Sequence, residues 1–175
     1  MKPFETKTLA DLVHNQLFTR KPTVPTPKER VAEILQRCTS LIVEDWLGRV
    51  KNNTELSRVV LSDQERTGYL LKLIDDLIVR LRSHHITIQE GGFIGSPAAV
   101  AHGKLRRSQG YTPGMLVQDS RILQVSLFGT LQNNLKALDF RLLLPDVMTI
   151  ADEVGSQLTQ AMEGYTDVAG HPAAA

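Results

Sequence analysis

Hydrophobic residues recur at helical spacing along most of the chain and predict an all-α protein. The first stripe follows a helix start in which Thr26 can cap the backbone, Pro27 suits the first turn and Glu29 completes a capping box. The stripe consists of Val31, Ile34, Leu35, Cys38, Leu41 and Ile42. We expect this helix to end within residues 46–50 and a polar loop to follow over residues 51–57.

A second helix is predicted by another capping box, formed by Ser62 and Glu65. The apolar residues behind it share one face: Leu70, Leu73, Ile74, Leu77, Ile78 and Leu81. This helix should end near residues 82–85, where cationic side chains suit the negative end of the helix dipole. Residues 86–95 contain three glycines and are expected to form a loop.

Two further helices meet at a tight corner. Ser96 and Pro97 start the third helix, which should end at Gly110, and Thr112 and Pro113 start the fourth, which should run to about residue 135. More than half of the fourth helix is apolar: Met115, Leu116, Val117, Ile122, Leu123, Val125, Leu127, Phe128, Leu131 and Leu135. Such a helix should be buried on several sides.

The last helix carries a heptad seam, because its apolar residues alternate at spacings of four and three. They are Phe140, Leu144, Val147, Ala151, Val154, Leu158, Ala161 and Tyr165. Pro145 either starts this helix or kinks it. The seam either faces the core or forms a dimer and signalling surface through Val147, Ala151, Val154, Leu158 and Ala161. The second interpretation predicts a dimer that Leu158→Glu weakens.

These elements predict one domain with two appendages. Residues 1–25 form an N-terminal arm, with a short helix over residues 5–19 followed by a proline-rich linker. Residues 26–166 form a domain of about five to six helices, and residues 167–175 a disordered tail. Periodicity alone leaves a helical bundle and a globin-like arrangement both open.

Composition and the lack of recognisable motifs argue against several classes of function. The net charge of +1 provides no field that would attract nucleic acid or an acidic membrane, and no apolar run is long enough to span a bilayer. The one cysteine, Cys38, fits a reducing cytoplasm. No nucleophile–base pair, phosphate-binding loop or metal-ligand spacing is recognisable. We therefore expect a cytoplasmic protein that is not an enzyme, holds no metal and binds neither nucleic acid nor membrane.

The densest polar cluster lies on the third helix, where His102 shares a face with Arg106 and Gln109. It is either a ligand site, able to hold a small anion or a haem, or a hydrogen-bonded core histidine with arginines that cap a helix end. Asp119 lies on the apolar stripe of the fourth helix. It either pairs with Arg106, Arg107 or Arg121, which would latch the corner between the two helices, or stays solvated at the rim.

Residues 102–123 resemble the signature of the RsbRD-type N-terminal domain family, the sensory domains of RsbT co-antagonists and related bacterial histidine kinases. The matching residues are His102, Gly103, Arg106, Gln109, Gly110, Tyr111, Arg121 and Leu123. Trp46 with Leu47, residues 61–66 and the last helix are also similar, so the resemblance covers about residues 28–166. Three positions depart from the pattern: Asp119 stands for Glu, Ser120 for Tyr and Gln124 for Arg.

The resemblance implies a globin-like fold without haem, a homodimer, and a non-catalytic signal-input domain. Its output would be a kinase or stressosome-type regulatory domain of the same polypeptide. The candidate ligand or polar cluster is then His102, Arg106, Gln109, Asp119 and Arg121, although the departures put inherited roles at residues 120 and 124 in doubt. Two alternatives remain: a haem-binding globin-type sensor with His102 or His84 on the iron, and a ligand-free interaction scaffold with a filled core.

Overall fold

Helices account for most of the described chain, which comprises residues 28–84 and 95–167 of a computed structural model. They are α1 Val31–Arg37, α2 Thr39–Asn52, α3 Asp63–Thr67, α4 Leu70–His84, α5 Pro97–Ser108, α6 Pro113–Asn133 and α7 Phe140–Thr166, with a single 3-10 turn at Leu56–Arg58. The prediction of an all-α protein is confirmed. The arm, most of the loop predicted at residues 86–95 and nearly all of the tail lie outside the described residues.

None of the helices in the two described ranges combines the length and the apolar content that crossing a membrane requires.

The first apolar stripe is divided between two helices. The chain turns at Cys38, and beyond this break the buried side chains are Ile42, Trp46 and Val50, while Leu41 is 62% exposed. The predicted burial of Leu41 is therefore wrong, because the break changes which side of the chain faces the core. The segment predicted as a polar loop over residues 51–57 also buries Leu56 completely.

Glu29 does not cap α1, which begins at Val31 without a side-chain cap. Its backbone instead forms an isolated parallel bridge to Leu138, with hydrogen bonds to both neighbours of that residue. Its carboxylate binds the Arg37 guanidinium, with 2.7 Å between Oε2 and Nε. The predicted capping box at this position is wrong, because long-range pairing holds Glu29 outside the helix.

The second capping box is confirmed. The Ser62 backbone N–H donates to Glu65 Oε2 at 2.7 Å, and the Glu65 N–H donates to Ser62 Oγ at 3.3 Å. The helix that it starts ends at Thr67, and α4 begins at Leu70. The apolar face of α4 is buried as predicted: Leu70, Leu73, Ile74, Leu77, Ile78 and Leu81.

The corner between α5 and α6 also follows the prediction. Ser96 Oγ accepts from the Ala99 N–H at 3.1 Å, and Thr112 Oγ1 caps α6. Gly110 has a φ of +85°, the left-handed conformation that glycine adopts most readily. On α6 one broad face is buried rather than several sides, since Val117 and Val125 are 47% and 43% exposed.

Helices α5 and α7 cross at direct backbone contact. A Cβ atom added at Gly103 would lie 1.8 Å from the Ala161 carbonyl oxygen, and one added at Gly164 would lie 2.1 Å from the Val100 carbonyl oxygen. Only glycine fits at these two positions. The crossing therefore determines which face of α7 points inward.

This inward face is not the predicted apolar seam. The core-facing positions of α7 are Asp146, Ile150, Glu153, Gln157, Gln160 and Gly164, all buried. They precede the predicted seam by one residue, a rotation of about 100°. Of the predicted seam, Val154 and Ala161 are buried at its inner edge, Val147, Leu158 and Tyr165 are half-buried, and Phe140, Leu144 and Ala151 are exposed. The helix begins at Phe140 and continues through Pro145.

Candidate functional site

The corner between α5 and α6 joins two buried charges. Arg106 on α5 donates from Nε to Asp119 Oδ2 on α6 at 3.1 Å, and the two side chains are 1% and 3% exposed. Of the two interpretations of Asp119, the latch with Arg106 is confirmed and the solvated carboxylate is wrong. The pair is almost fully desolvated, so each charge depends on the other for compensation.

The remaining N–H groups of Arg106 tie α3 to the corner. Nη2 donates to the Arg66 carbonyl oxygen at 2.5 Å, and Nη1 donates to Gln109 Oε1 at 2.8 Å. The guanidinium carbon also lies 4.8 Å from the centre of the Tyr111 ring. Because a guanidinium presents several donors in a rigid plane, this one side chain orients three helices.

His102 completes the cluster from one turn earlier on α5. Its Nε2 lies 3.6 Å from Asp119 Oδ2, and its ring meets the Tyr69 ring edge-on, with 6.4 Å between centroids. Its Nδ1 is buried and has no hydrogen-bond partner among the described residues. A neutral imidazole carries a proton on one nitrogen only, so a proton on Nε2, beside Asp119, would leave Nδ1 as an acceptor.

A cavity of about 30 Å³ lies beside these three residues. Side chains from α2, α4, α5, α6 and α7 line it: Trp46, Leu70, Leu73, Ala99, His102, Arg106, Leu116, Asp119, Ser120, Leu123, Gln157, Leu158 and Ala161. All of them are buried except Ser120 and Leu158, which are half-buried. The volume corresponds to roughly two water molecules.

The structure brings together four of the five predicted cluster residues and leaves out Arg121, which is exposed on α6. The pairing of Asp119 with Arg121 is therefore wrong, because Asp119 faces the corner and Arg121 faces away from it. The other predicted set consists of Val147, Ala151, Val154, Leu158 and Ala161 on α7. Of these five residues, Leu158 and Ala161 line the cavity.

Sequence reasoning missed Arg66, which belongs to the same cluster. It is 5% exposed and donates to the Leu56 and Val59 carbonyl oxygens, at 3.3 and 2.5 Å, and lies within 3.5 Å of the Tyr111 hydroxyl. Burial raises the pKa of this Tyr111 hydroxyl, although Arg106 opposes the rise. No local pattern marks Arg66, because its partners come from the irregular segment before α3.

The polar seam of α7 was also missed. Gln157 Nε2 donates to the Leu73 carbonyl oxygen and to Glu153 Oε1, both at 3.0 Å. Gln160 Oε1 accepts from the Ser96 N–H at 2.5 Å, and so fastens α7 to the start of α5. The signal was present as polar residues that recur at a spacing of seven, as in Asp146, Glu153 and Gln160.

Comparisons with known proteins identify no family for this chain. No family model, no curated protein and no solved structure matches this chain. The resemblance at residues 102–123 and the globin-like arrangement therefore stay predictions. Within residues 28–84 and 95–167, no group of three or more His, Cys, Asp or Glu side chains is placed to hold a metal ion.

The buried carboxyl group of Glu153 should make the free energy of unfolding depend on pH. Burial raises its pKa above the ordinary value of 4.5, although the hydrogen bond from Gln157 and the charge of Arg80 oppose the rise. Between 4.5 and the raised pKa the folded state binds more protons than the unfolded state, so the Glu153 contribution to stability falls as pH rises through that window.

Glu153→Gln, which cannot ionise, should therefore be more stable than wild type at pH 7, and this advantage should disappear below pH 4.5. Urea unfolding from pH 4 to pH 8 would measure the difference. Glu163→Gln, at an exposed position of the same helix, is the matched control and should not show this profile. Parallel profiles for wild type and Glu153→Gln would contradict the assignment.

Proposed function

We propose that this chain is a non-catalytic signal-input domain of a bacterial signalling protein, which dimerises and transmits a conformational change along α7 to an output domain. The observation that carries the proposal is the orientation of α7, which buries Glu153, Gln157 and Gln160 and exposes the apolar side chains of Phe140, Leu144 and Met148. The resemblance at residues 102–123 supports the same function.

The inward polar seam makes α7 suited to changing its packing. Gln157 donates to the Leu73 carbonyl oxygen of α4 and to Glu153 Oε1 on α7 itself, and Gln160 accepts from the backbone N–H of Ser96 at the start of α5. Hydrogen bonds can exchange partners or take up water, whereas an apolar core resists any gap. A signal that favours one of two such packings shifts their populations, and α7 passes that shift on.

The outward stripe of α7 supports dimerisation with a second copy of this chain. Phe140, Leu144 and Met148 are 60%, 69% and 66% exposed and lie on one face, which Ala151 and Gly155 continue. Exposed apolar stripes of this kind mark interaction sites. Two identical stripes, large at one end and small at the other, can pack against each other about a two-fold axis.

Leu144→Glu should convert the dimer into a monomer, because the substitution places a charge at the centre of the stripe. Leu158→Glu, the substitution that the heptad seam predicts to weaken a dimer, would also disturb the cavity that Leu158 lines. Light scattering coupled to size exclusion would measure the mass of each variant. Leu41→Glu, at an exposed leucine on α2, is the matched control and should remain dimeric. A monomeric wild type, or a dimeric Leu144→Glu, would refute the interface.

The cavity in the interior gives less support to the two alternative functions, the haem-binding sensor and the ligand-free scaffold. A cavity of about 30 Å³ is far smaller than a haem, and His102 already faces Asp119. A ligand-free scaffold should have a filled core, whereas here a cavity of about 30 Å³ lies beside the buried pair of Arg106 and Asp119. Both observations favour the input domain over the haem sensor and the scaffold.

A further inference from the structure

The described part of the chain begins beside the outward stripe of α7. The backbone of Glu29 pairs with Leu138 in the isolated bridge, two residues before the stripe begins at Phe140. Lys28 adds a hydrogen bond from its Nζ to the Lys136 carbonyl oxygen, at 2.7 Å. The segment that precedes Lys28 is therefore tethered at one end of the stripe.

This segment has an apolar face of its own. The sequence predicts a short helix over residues 5–19 of the arm, and on such a helix the apolar residues share one side: Leu9, Leu12, Val13 and Leu17. Asp11 and Asn15 lie on the opposite side. A helix this short is marginal by itself in water and is stabilised by burying its apolar face. The arm therefore calls for an apolar surface within its reach.

The stripe borders a groove of about 500 Å³ that is lined by residues of α4 and α7. They are Arg80, Leu144, Pro145, Met148, Thr149 and Asp152. Leu144 and Met148 offer apolar contacts, whereas Arg80 Nη2 lies 3.9 Å from Asp152 Oδ2. An amphipathic helix binds a groove of this kind through apolar residues one turn apart, while its polar side stays in water.

The linker is long enough to bring the arm to the groove. Residues 20–27 contain three prolines, which favour an extended chain of about 3.1 Å per residue, so the linker spans up to roughly 25 Å. Met148 follows Phe140 at a distance of about 12 Å along the α7 axis. So short a tether gives the arm an effective concentration on the order of 1 mM at the stripe. Even a weak contact is then populated.

We propose that the arm, residues 1–25, docks its apolar face on the α7 stripe of the same chain and competes there with a second copy. The inference rests on the proposed function, since it assigns a regulator to the proposed dimer interface. A copy whose arm is docked cannot pair, so dimerisation requires that both arms leave. If each arm occupies its stripe for about two-thirds of the time, the dimer Kd rises about ninefold.

Leu12→Glu in the full chain should tighten the dimer about ninefold, because a charge on the apolar face of the arm releases it from the stripe. Sedimentation equilibrium over a dilution series would measure the dimer Kd. Asn15→Glu adds the same charge to the opposite side of the arm and is the matched control, with a Kd equal to that of wild type. A dimer that is unchanged or weaker in Leu12→Glu would overturn the competition.

A photo-crosslinker in the arm tests the contact without reference to the dimer. Benzoylphenylalanine in place of Leu12 should form an adduct with Leu144 or Met148 of its own chain, which migrates at the monomer mass. The same probe in place of Asn15 should not. Mass spectrometry of the digested adduct would identify the attached residue. An adduct at the dimer mass, or none on α7, would overturn docking within one chain.

The two measurements separate this inference from the proposed dimer. An intrachain adduct in a chain that stays monomeric at every concentration would keep the arm contact and remove the dimer. A dimer that gives no adduct on α7, with the same Kd in wild type and Leu12→Glu, would do the reverse.

Discussion

Asp119→Ala should destabilise the protein by about 3–5 kcal/mol, because it leaves a buried guanidinium without its carboxylate. Arg106 is 1% exposed, and its Nε–H donates to Asp119 at 3.1 Å. The substitution removes the partner but not the cost of keeping Arg106 out of water. Urea unfolding at pH 7, followed by far-ultraviolet circular dichroism, would measure the loss.

Asp45→Ala is the matched control. Asp45 also binds an arginine, Arg49, at 2.7 Å, but both side chains are more than 40% exposed. An exposed pair of this kind contributes less than about 1 kcal/mol. Equal losses in Asp119→Ala and Asp45→Ala would show that the buried pair does not hold the corner. The double variant Arg106→Met/Asp119→Leu should recover part of the loss, since no unpaired charge remains.

Gly103→Ala should destabilise the protein by about 3 kcal/mol or more, at the upper end of the cost of overpacking. The new methyl group would lie 1.8 Å from the Ala161 carbonyl oxygen, so α5 and α7 must move apart. The obstacle is backbone and cannot rotate away as a flexible side chain can. Thermal and urea unfolding would both register the change.

Gly129→Ala, in the interior of α6, provides the control. Nothing lies within 4 Å of a Cβ at this position, so alanine should stabilise the helix by about 0.5–1 kcal/mol. Opposite signs for Gly103→Ala and Gly129→Ala would establish the crossing as a backbone contact. A neutral Gly103→Ala would mean that the two helices separate easily there.

The two ends of α7 are held differently. The end near Gly164 is fixed against α5 by the glycine crossing. The start, with Phe140, Leu144 and Met148, presents its apolar side chains outward. If α7 transmits a signal, the change should therefore be largest towards its start and smallest at the crossing.

Most signals carried by neighbouring residues predicted the structure correctly, and the capping box at Glu29 is the exception, because long-range pairing to Leu138 holds that residue outside the helix. The capping box at Ser62, the caps at Ser96 and Thr112, the corner at Gly110 and the apolar face of α4 all occur where predicted. Each depends on hydrogen bonds or side chains within one or two turns of the same segment. Local spacing therefore suffices to predict them.

The candidate site was predictable in part. His102, Arg106 and Gln109 share a face of α5 through helical spacing, and the need to pair a buried carboxylate made Arg106 one of the partners expected for Asp119. Arg66 could not be found in this way. It lies 40 residues from Arg106, whose Nη2 donates to its carbonyl oxygen, and no pattern connects such distant positions.

Hydrophobic periodicity along the chain was enough to predict a long last helix with an apolar seam, whereas the rotation of α7 about its axis depends on its packing against the other helices. Burial of apolar area alone would turn the seam inward. The close approach of α5 and α7, possible only where Gly103 and Gly164 meet the opposing backbone, instead directs Glu153, Gln157 and Gln160 to the core. The hydrogen bonds of Gln157 to α4 and of Gln160 to the start of α5 offset the desolvation of these two side chains, and such partners exist only once α4 and α5 are in place.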